Sequence, residues 1–285
     1  MRPQHTEDKR SQRNSGWLTV LAALLLAWEV LGRLLESPTG LFPAPSRVIL
    51  EVYREGHQLQ SHTLATLAEL AAGVPIALLL ALAIGIAYAS NRRHGGILEE
   101  LAAAMPVAPW IAAAPLLSIW FGFGTAGKIA AASLLGFLAM LKHVPKACRA
   151  APDGPLQLAR LAAAAPGVVF RKIRVPEAIP DLLAGLRDCV ASALAGAIAA
   201  EFIVADRGLG YLLLMSGTGM DIPLLFASLL IIAALLLTFL AAINLLRRAL
   251  APWSVGASRR RLSEASRRVG EAVKNSPQRR KDRRE

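Results

Sequence analysis

A chain of 285 residues that is 54% hydrophobic and only 6% aromatic, with mean hydropathy +0.45, is too apolar and too rich in Ala and Leu for an ordinary soluble domain. Its formal charge of +12 invites a nucleic-acid reading, but the most basic stretch, Arg259–Arg261 and QRRKDRRE at the C-terminus, has no interleaved aromatics, so nucleic acid is not expected as a partner. Two cysteines and five histidines with no i, i+4 ligand pair imply neither a disulfide framework nor a metal site.

A membrane span takes about 20 apolar residues to cross roughly 30 Å of hydrocarbon. Residues 1–16 form a polar N-tail, and Leu18–Leu35 is the first apolar run. It lacks a small-x-small cleavage exit and more apolar runs follow, so it reads as a retained helix rather than a signal peptide. Glu29 within it is a functional candidate by default. It lies one turn from Arg33 near the outer interface, which favours a locally paired group. Residues 17–61 are therefore the first transmembrane helix and a periplasmic connector, whose SPTGLFPAPS stretch crosses in extended form.

Residues 62–250 read as a core of five further helices. Leu64–Ala89 carries Glu69, and Leu101–Phe121 contains Pro106, Pro109 and Pro115, which predict a broken helix able to line a pathway. Gly122–Lys128 has the G-x-x-x-x-G-K spacing of a phosphate loop, but residue 129 is Ile where a Ser or Thr would hold magnesium, so it reads as a glycine-rich outer turn. Ile129–Leu141 spans only with its flanks, Thr125–Lys128 and the residues up to Val144. Leu182–Ala205 includes the small-residue run ASALAGAIAA, which is a packing seam by composition, and Pro223–Leu246 is the last span. Residues 251–285 form a basic tail, disordered by composition and suited to anionic lipid. The expected architecture is all-α and polytopic, with about six transmembrane helices.

Lys and Arg are retained in cytoplasmic loops. With six spans, 27 of the 32 basic residues fall on the side that carries both termini, which places those termini in the cytoplasm. The same rule puts a long polar segment, PLQLARLAAAAPGVVFRKIRVPEAIPDLLAG from Pro155 to Gly185, on that side between helices 4 and 5. Leu156–Ala165 is helix-compatible, with Leu158, Leu161 and Ala162 at i, i+3 and i+4, and Pro166–Gly167 is expected to break it. Such a helix suits two surfaces, the groove of a soluble partner or the lipid interface, where Arg171, Lys172 and Arg174 also belong.

No Ser/His/Asp, Cys/His or paired-carboxylate constellation can be assembled, so no catalytic residue is expected. Facing acid and base residues within the spans, which a gradient-driven transporter or channel would need, are not evident, and neither is an internal repeat. A third class, an interaction scaffold working through its basic tail, would lose its activity with residues 254–285.

The central segment and its neighbours resemble the membrane-spanning permease subunit of bacterial ATP-binding-cassette importers, in the branch handling nitrate, aliphatic sulfonates, taurine and some pyrimidine precursors. The resemblance runs from about Leu18 to Trp253. QLAR at Gln157–Arg160, Ala163, and IRVP at Ile173–Pro176 stand where the family has E-A-A, a Gly four residues on, and I-x-L-P. Supporting matches are IWFGFGTAGK at Ile119–Lys128, AEFIVADRGLGYLL at Ala200–Leu213 and LFPAPSRV at Leu41–Val48. Gln157 replaces the acidic residue and Ala163 the glycine, whose backbone freedom Ala lacks; Glu69 stands where the branch commonly has Arg.

The resemblance implies a cytoplasmic coupling-helix loop over 145–185, docking a separate ATPase through Gln157, Leu158, Ala159, Arg160, Leu161, Ala163, Ile173 and Pro176. It implies further a second permease copy and an extracytoplasmic solute-binding protein, in the bacterial inner membrane. No cofactor is expected in this chain, since ATP would bind the partner subunit. Candidate pathway residues are Glu69, Pro106, Pro109, Trp110, Ser192 and Glu201. Glu201, near the outer end of the fifth helix, also reads as capping a turn or pairing with Arg207.

Overall fold

The computed structural model describes residues 5–35, 42–90, 100, 110–151, 153–204 and 206–252. Pro106, Pro109 and the tail beyond residue 252 lie outside them. Among the described residues the regular structure is entirely helical. The order is α1 His5–Leu34, α2 Pro45–Arg54, α3 Gly56–Ser90, a 3₁₀ turn Trp110–Ala113, α4 Ala114–Phe121, α5 Thr125–Leu141, α6 Val144–Arg149, α7 Asp153–Leu161, α8 Pro166–Val169, a π-helical turn Phe170–Arg174, α9 Val175–Val204, α10 Leu209–Thr218 and α11 Ile222–Leu250.

Three helical stretches, Gly56–Gly85, Pro166–Ile203 and Ile222–Leu250, are long and apolar enough to cross a membrane. Trp110–Phe121, Thr125–Leu141 and Leu209–Thr218 are apolar but shorter. At 1.5 Å per residue, the 17-residue α5 is about 25 Å long, a little under a hydrocarbon core. The first apolar run is continuous with a helical extension that starts at His5, inside the polar N-tail. Leu24, Leu79, Trp120 and Leu237 are each at least 63% exposed, a surface that water would penalise and lipid does not.

The chain divides into two compact units, and α3, α5, α9 and α11 each contribute to both. Unit 1 comprises Met1–Ile76, Pro109–Gly136 and Ala191–Leu237. Its core joins Val48 of α2, Leu59 of α3, Leu212 of α10 and Leu224 and Ala227 of α11, with a second cluster of Ala114, Leu117, Ala131 and Ala200. Small residues bring the helices of this unit close. A Cβ on Gly196 of α9 would lie 2.7 Å from the Ala131 carbonyl oxygen, and one on Gly73 of α3 would lie 2.9 Å from the Ala132 Cβ. The expectation of a packing seam in ASALAGAIAA is met at Gly196.

Unit 2 comprises Ala77–Ala108, Phe137–Val190 and Thr238–Glu285. The same device operates there: a Cβ on Gly85 would meet Val144 Cγ1 at 2.9 Å, and one on Gly185 would strike the Met140 sulfur. Lys142 Nζ and His143 Nε2 both reach Asp188 Oδ2, at 2.8 and 3.0 Å, and so tie the end of α5 to α9.

Gly196→Ala is expected to lower the melting temperature of the detergent-solubilised protein, by overpacking worth about 1–3 kcal/mol. Gly167→Ala, where a Cβ meets nothing within 4 Å, should leave it unchanged or raise it slightly, and thermal unfolding of both variants checks the contrast.

Candidate functional site

Two places concentrate the sequence-predicted residues, one in each unit. In unit 2 the coupling candidate is α7. Its register exposes Leu158 (68%) and Leu161 (85%), together with Gln157, Arg160 and Ala162, while Ala159 is turned inward and buried. A short helix carrying two exposed leucines presents apolar area that it does not use for its own packing.

The way α7 ends corrects the expected helix boundary. The Ala164 amide donates to the Ala159 carbonyl at 2.9 Å and the Ala163 amide to the Arg160 carbonyl at 3.0 Å, the 6→1 and 5→2 pair of a Schellman motif. Its left-handed residue is Ala163, at φ +47°. The helix therefore stops at Leu161 rather than at Ala165, and Pro166 opens α8 at its first turn instead of breaking α7. Glycine is the usual occupant of that conformation; alanine holds it at a cost of about 1–2 kcal/mol. The turn is kept although the glycine is not. Ile173 and Pro176, both half-buried, lie in and just beyond the π-helical turn that leads into α9.

In unit 1 Glu69 and Glu201, 2% and 1% exposed, lie side by side. Glu201 Oε1 accepts from Thr66 Oγ1 at 2.7 Å and its Oε2 accepts from the Gly210 amide at 2.6 Å. Thr66 Oγ1 in turn accepts from the Leu209 amide at 2.9 Å, and His62 Nδ1 accepts from the Gly208 amide at 3.0 Å. Lys128 Nζ pairs with Glu69 Oε1 at 2.6 Å and donates to the Arg207 carbonyl at 3.1 Å.

The reason for this set is the start of α10. Its N-cap is Gly208, which has no side chain, yet its first amides are buried and need acceptors. Thr66 and His62 from α3 and Glu201 from α9 supply them. The carboxylate also faces the positive end of the helix. Gly208, at φ +128°, has no room for a Cβ because the Glu201 side chain occupies that space, and at Gly210 the Ile198 carbonyl oxygen and the Glu201 side chain both stand in the way.

The structure brings Glu69 and Glu201 together, two of the predicted pathway residues. Ser192 lies half-buried on α9, and Trp110 half-buried at the start of the 3₁₀ turn; neither takes part in these contacts. Glu201 caps a turn, as one expectation had it, but its partners are Thr66 and Gly210 rather than Arg207.

The expectation that the spans hold no facing acid and base is corrected by Glu69 and Lys128. α5 begins at Thr125, so Lys128 belongs to a helix and is buried, and is not part of an outer turn. With its ammonium engaged by Glu69, and a helix rather than a strand before the glycines, the phosphate-loop spacing has no phosphate-loop structure. His62, Thr66 and Lys128 were missed in the sequence. The available signal was a polar stripe at i, i+4 and i+7, His62, Thr66 and Glu69, inside an apolar helix. Glu29, as expected, pairs with Arg33, at 2.6 Å, and it also accepts from the amide and hydroxyl of Ser46 in the first turn of α2. Among the described residues no group of three or more His, Cys, Asp or Glu is placed to hold a metal ion.

Described residues that are helical wherever they are regular, with three apolar stretches long enough to cross a membrane and large exposed apolar side chains, define a polytopic membrane protein. It belongs to the family of binding-protein-dependent transport system inner membrane components, whose model matches residues 60–255. Relatives include a probable ABC transporter permease of Haemophilus influenzae, 31% identical over 84% of this chain and 97% of that protein. The riboflavin transport system permease RibX of Chloroflexus aurantiacus is 32% identical over 84% and 90%. The taurine transport system permease TauC of Escherichia coli is 30% identical over 82% and 87%. The family is one of transport permeases, not of enzymes.

Removing Glu69 alone, as Glu69→Leu, strands the Lys128 ammonium and should destabilise the protein by about 3–5 kcal/mol, whereas Glu69→Leu with Lys128→Met should recover much of that loss. Melting temperatures of the two singles and the double in one detergent complete the cycle. At the other site, Ala163→Gly should raise stability by up to about 1 kcal/mol, because relief of the left-handed strain outweighs the added freedom of the unfolded chain.

Proposed function

We propose that the chain is the permease subunit of an ATP-driven importer and that α7 is its coupling helix. It works as a six-span protein with both termini in the cytoplasm, paired with a second permease copy, and bears two cytoplasmic ATPase subunits. An extracytoplasmic binding protein delivers the solute, a small molecule of the nitrate, sulfonate, taurine or pyrimidine-precursor class. Family membership and relatives named for riboflavin, taurine and sulfonate transport support this reading. The single observation that carries it is the pair Leu158 and Leu161, displayed on a short helix whose end is fixed by a Schellman turn.

Nucleotide binding closes the ATPase pair and can shift the permease between its states only through a contact that differs between them. A docked apolar helix is such a contact, and the π-helical turn and α9 that follow it lead directly into a long span. The Glu69–Lys128 pair is the feature a gradient-driven carrier would use. Its two charges are engaged with each other and with the Arg207 carbonyl, which favours a structural task.

Leu158→Asp with Leu161→Asp should abolish co-purification with the cognate ATPase and uncouple hydrolysis from uptake while leaving the protein in the membrane. Unchanged uptake would overturn the assignment of α7, and uptake without any ATPase would favour the gradient-driven alternative.

A further inference from the structure

Unit 2 holds a cavity of about 180 Å³ that the transport reading leaves without a task. Val144, Ala147 and Leu182 make apolar wall, and Phe170 and Arg174, the first and last residues of the π-helical turn, are also in the lining. Phe170 is 58% exposed and Arg174 is exposed, so an apolar ring and a guanidinium stand at the mouth of a hydrocarbon-lined hollow. Arg171 and Lys172 are exposed in the same turn. The hollow is smaller than the roughly 300–1,000 Å³ typical of sites for drug-sized ligands. It accepts a segment of alkyl chain, not a whole cofactor.

We propose that this cavity binds an anionic phospholipid, with the first stretch of one acyl chain between Val144, Ala147 and Leu182 and the phosphate on Arg174. Charge complementarity selects the occupant: one guanidinium, Arg174, lines an otherwise apolar hollow near the start of a span, and two more exposed cations, Arg171 and Lys172, lie in the same turn. A guanidinium engages phosphate bidentately, while Arg171 and Lys172 add the field that draws an anionic headgroup to a juxtamembrane surface. An apolar chain alone would make no use of the Arg174 guanidinium in the lining, and a free phosphate would leave the hollow unfilled.

The thiol of Cys148 lines the same cavity, whereas Cys189 is fully buried, so maleimide modification of the intact chain reads occupancy at one position. In nanodiscs of matched chain length, phosphatidylglycerol should slow modification of Cys148 relative to phosphatidylcholine. Arg174→Ala should weaken the headgroup effect by about fivefold, the factor expected for one lost cationic contact; Arg174→Gln, which keeps more of the side-chain bulk, should behave alike. Phosphatidylglycerol retained after detergent extraction, counted by native mass spectrometry, should fall in parallel. Equal protection by the two lipids would overturn headgroup recognition. Equal protection by soluble glycerol phosphate would overturn the role of the acyl chain. Protection only when an ATPase subunit is added would assign the cavity to that partner and overturn the lipid.

Discussion

Backbone amides at the start of a helix have no partner within it, and in surroundings without water they must find one elsewhere. That constraint organises unit 1. α2 and α10 are ten residues each, and their N-caps, Ala44 and Gly208, offer no side-chain acceptor. In both cases a carboxylate from a long helix does the capping, Glu29 for the Ser46 amide and Glu201 for the Gly210 amide. A carboxylate at a helix N-terminus meets both the unsatisfied amides and the positive end of the dipole, so one group answers two needs. α11 has a local solution instead, Asp221 accepting from the Leu224 amide.

The acids then need compensation of their own. Glu29 has Arg33 and the Ser46 hydroxyl, at an exposed position where an ion pair contributes little by itself. Glu201 is deep, and its compensation comes from a hydroxyl, an amide and the nearby Lys128 ammonium, which Glu69 also engages. Lys128 also holds the Arg207 carbonyl, so the residues before α10 are tied from both their donor and their acceptor sides. The glycine at 208 follows from this, because the Glu201 side chain fills the space in which a Cβ would sit; at 210 the Ile198 carbonyl oxygen shares that space with it.

Much of this was legible one residue at a time and little of it as contacts. Amphipathic spacing placed Leu158 and Leu161 on one face, because a 3.6-residue period is a property of local sequence. The end of α7 was misplaced because Ala163 takes a conformation that sequence assigns to glycine, and Pro166 signals a helix start as readily as a stop. Glu69 and Glu201 stood out as isolated acids in apolar runs. Lys128 did not, because GFGTAGK reads as a turn and its partner lies in a distant segment; pairing across the chain is a tertiary fact with no local period. The π-helical turn at Phe170–Arg174 was equally invisible, since its residues are ordinary helix formers.

The two candidate sites treat polar chemistry differently. In unit 1 the Glu201 carboxylate, the Lys128 ammonium and the first amides of α10 are bonded to partners on neighbouring segments. In unit 2 α7 leaves leucines exposed, its turn is held by a strained alanine, and the π-helical turn further on displays three cations. Groups left unsatisfied by their own fold are the ones whose environment can differ between two states, and only such differential contacts let a bound partner shift an equilibrium. Ala163 adds to this, because its left-handed conformation holds the turn after α7 about 1–2 kcal/mol above a glycine equivalent. Ala163, which stands where the resemblance has a glycine, therefore sits in the turn between α7 and α8, the place where the proposed coupling would have to bend the chain.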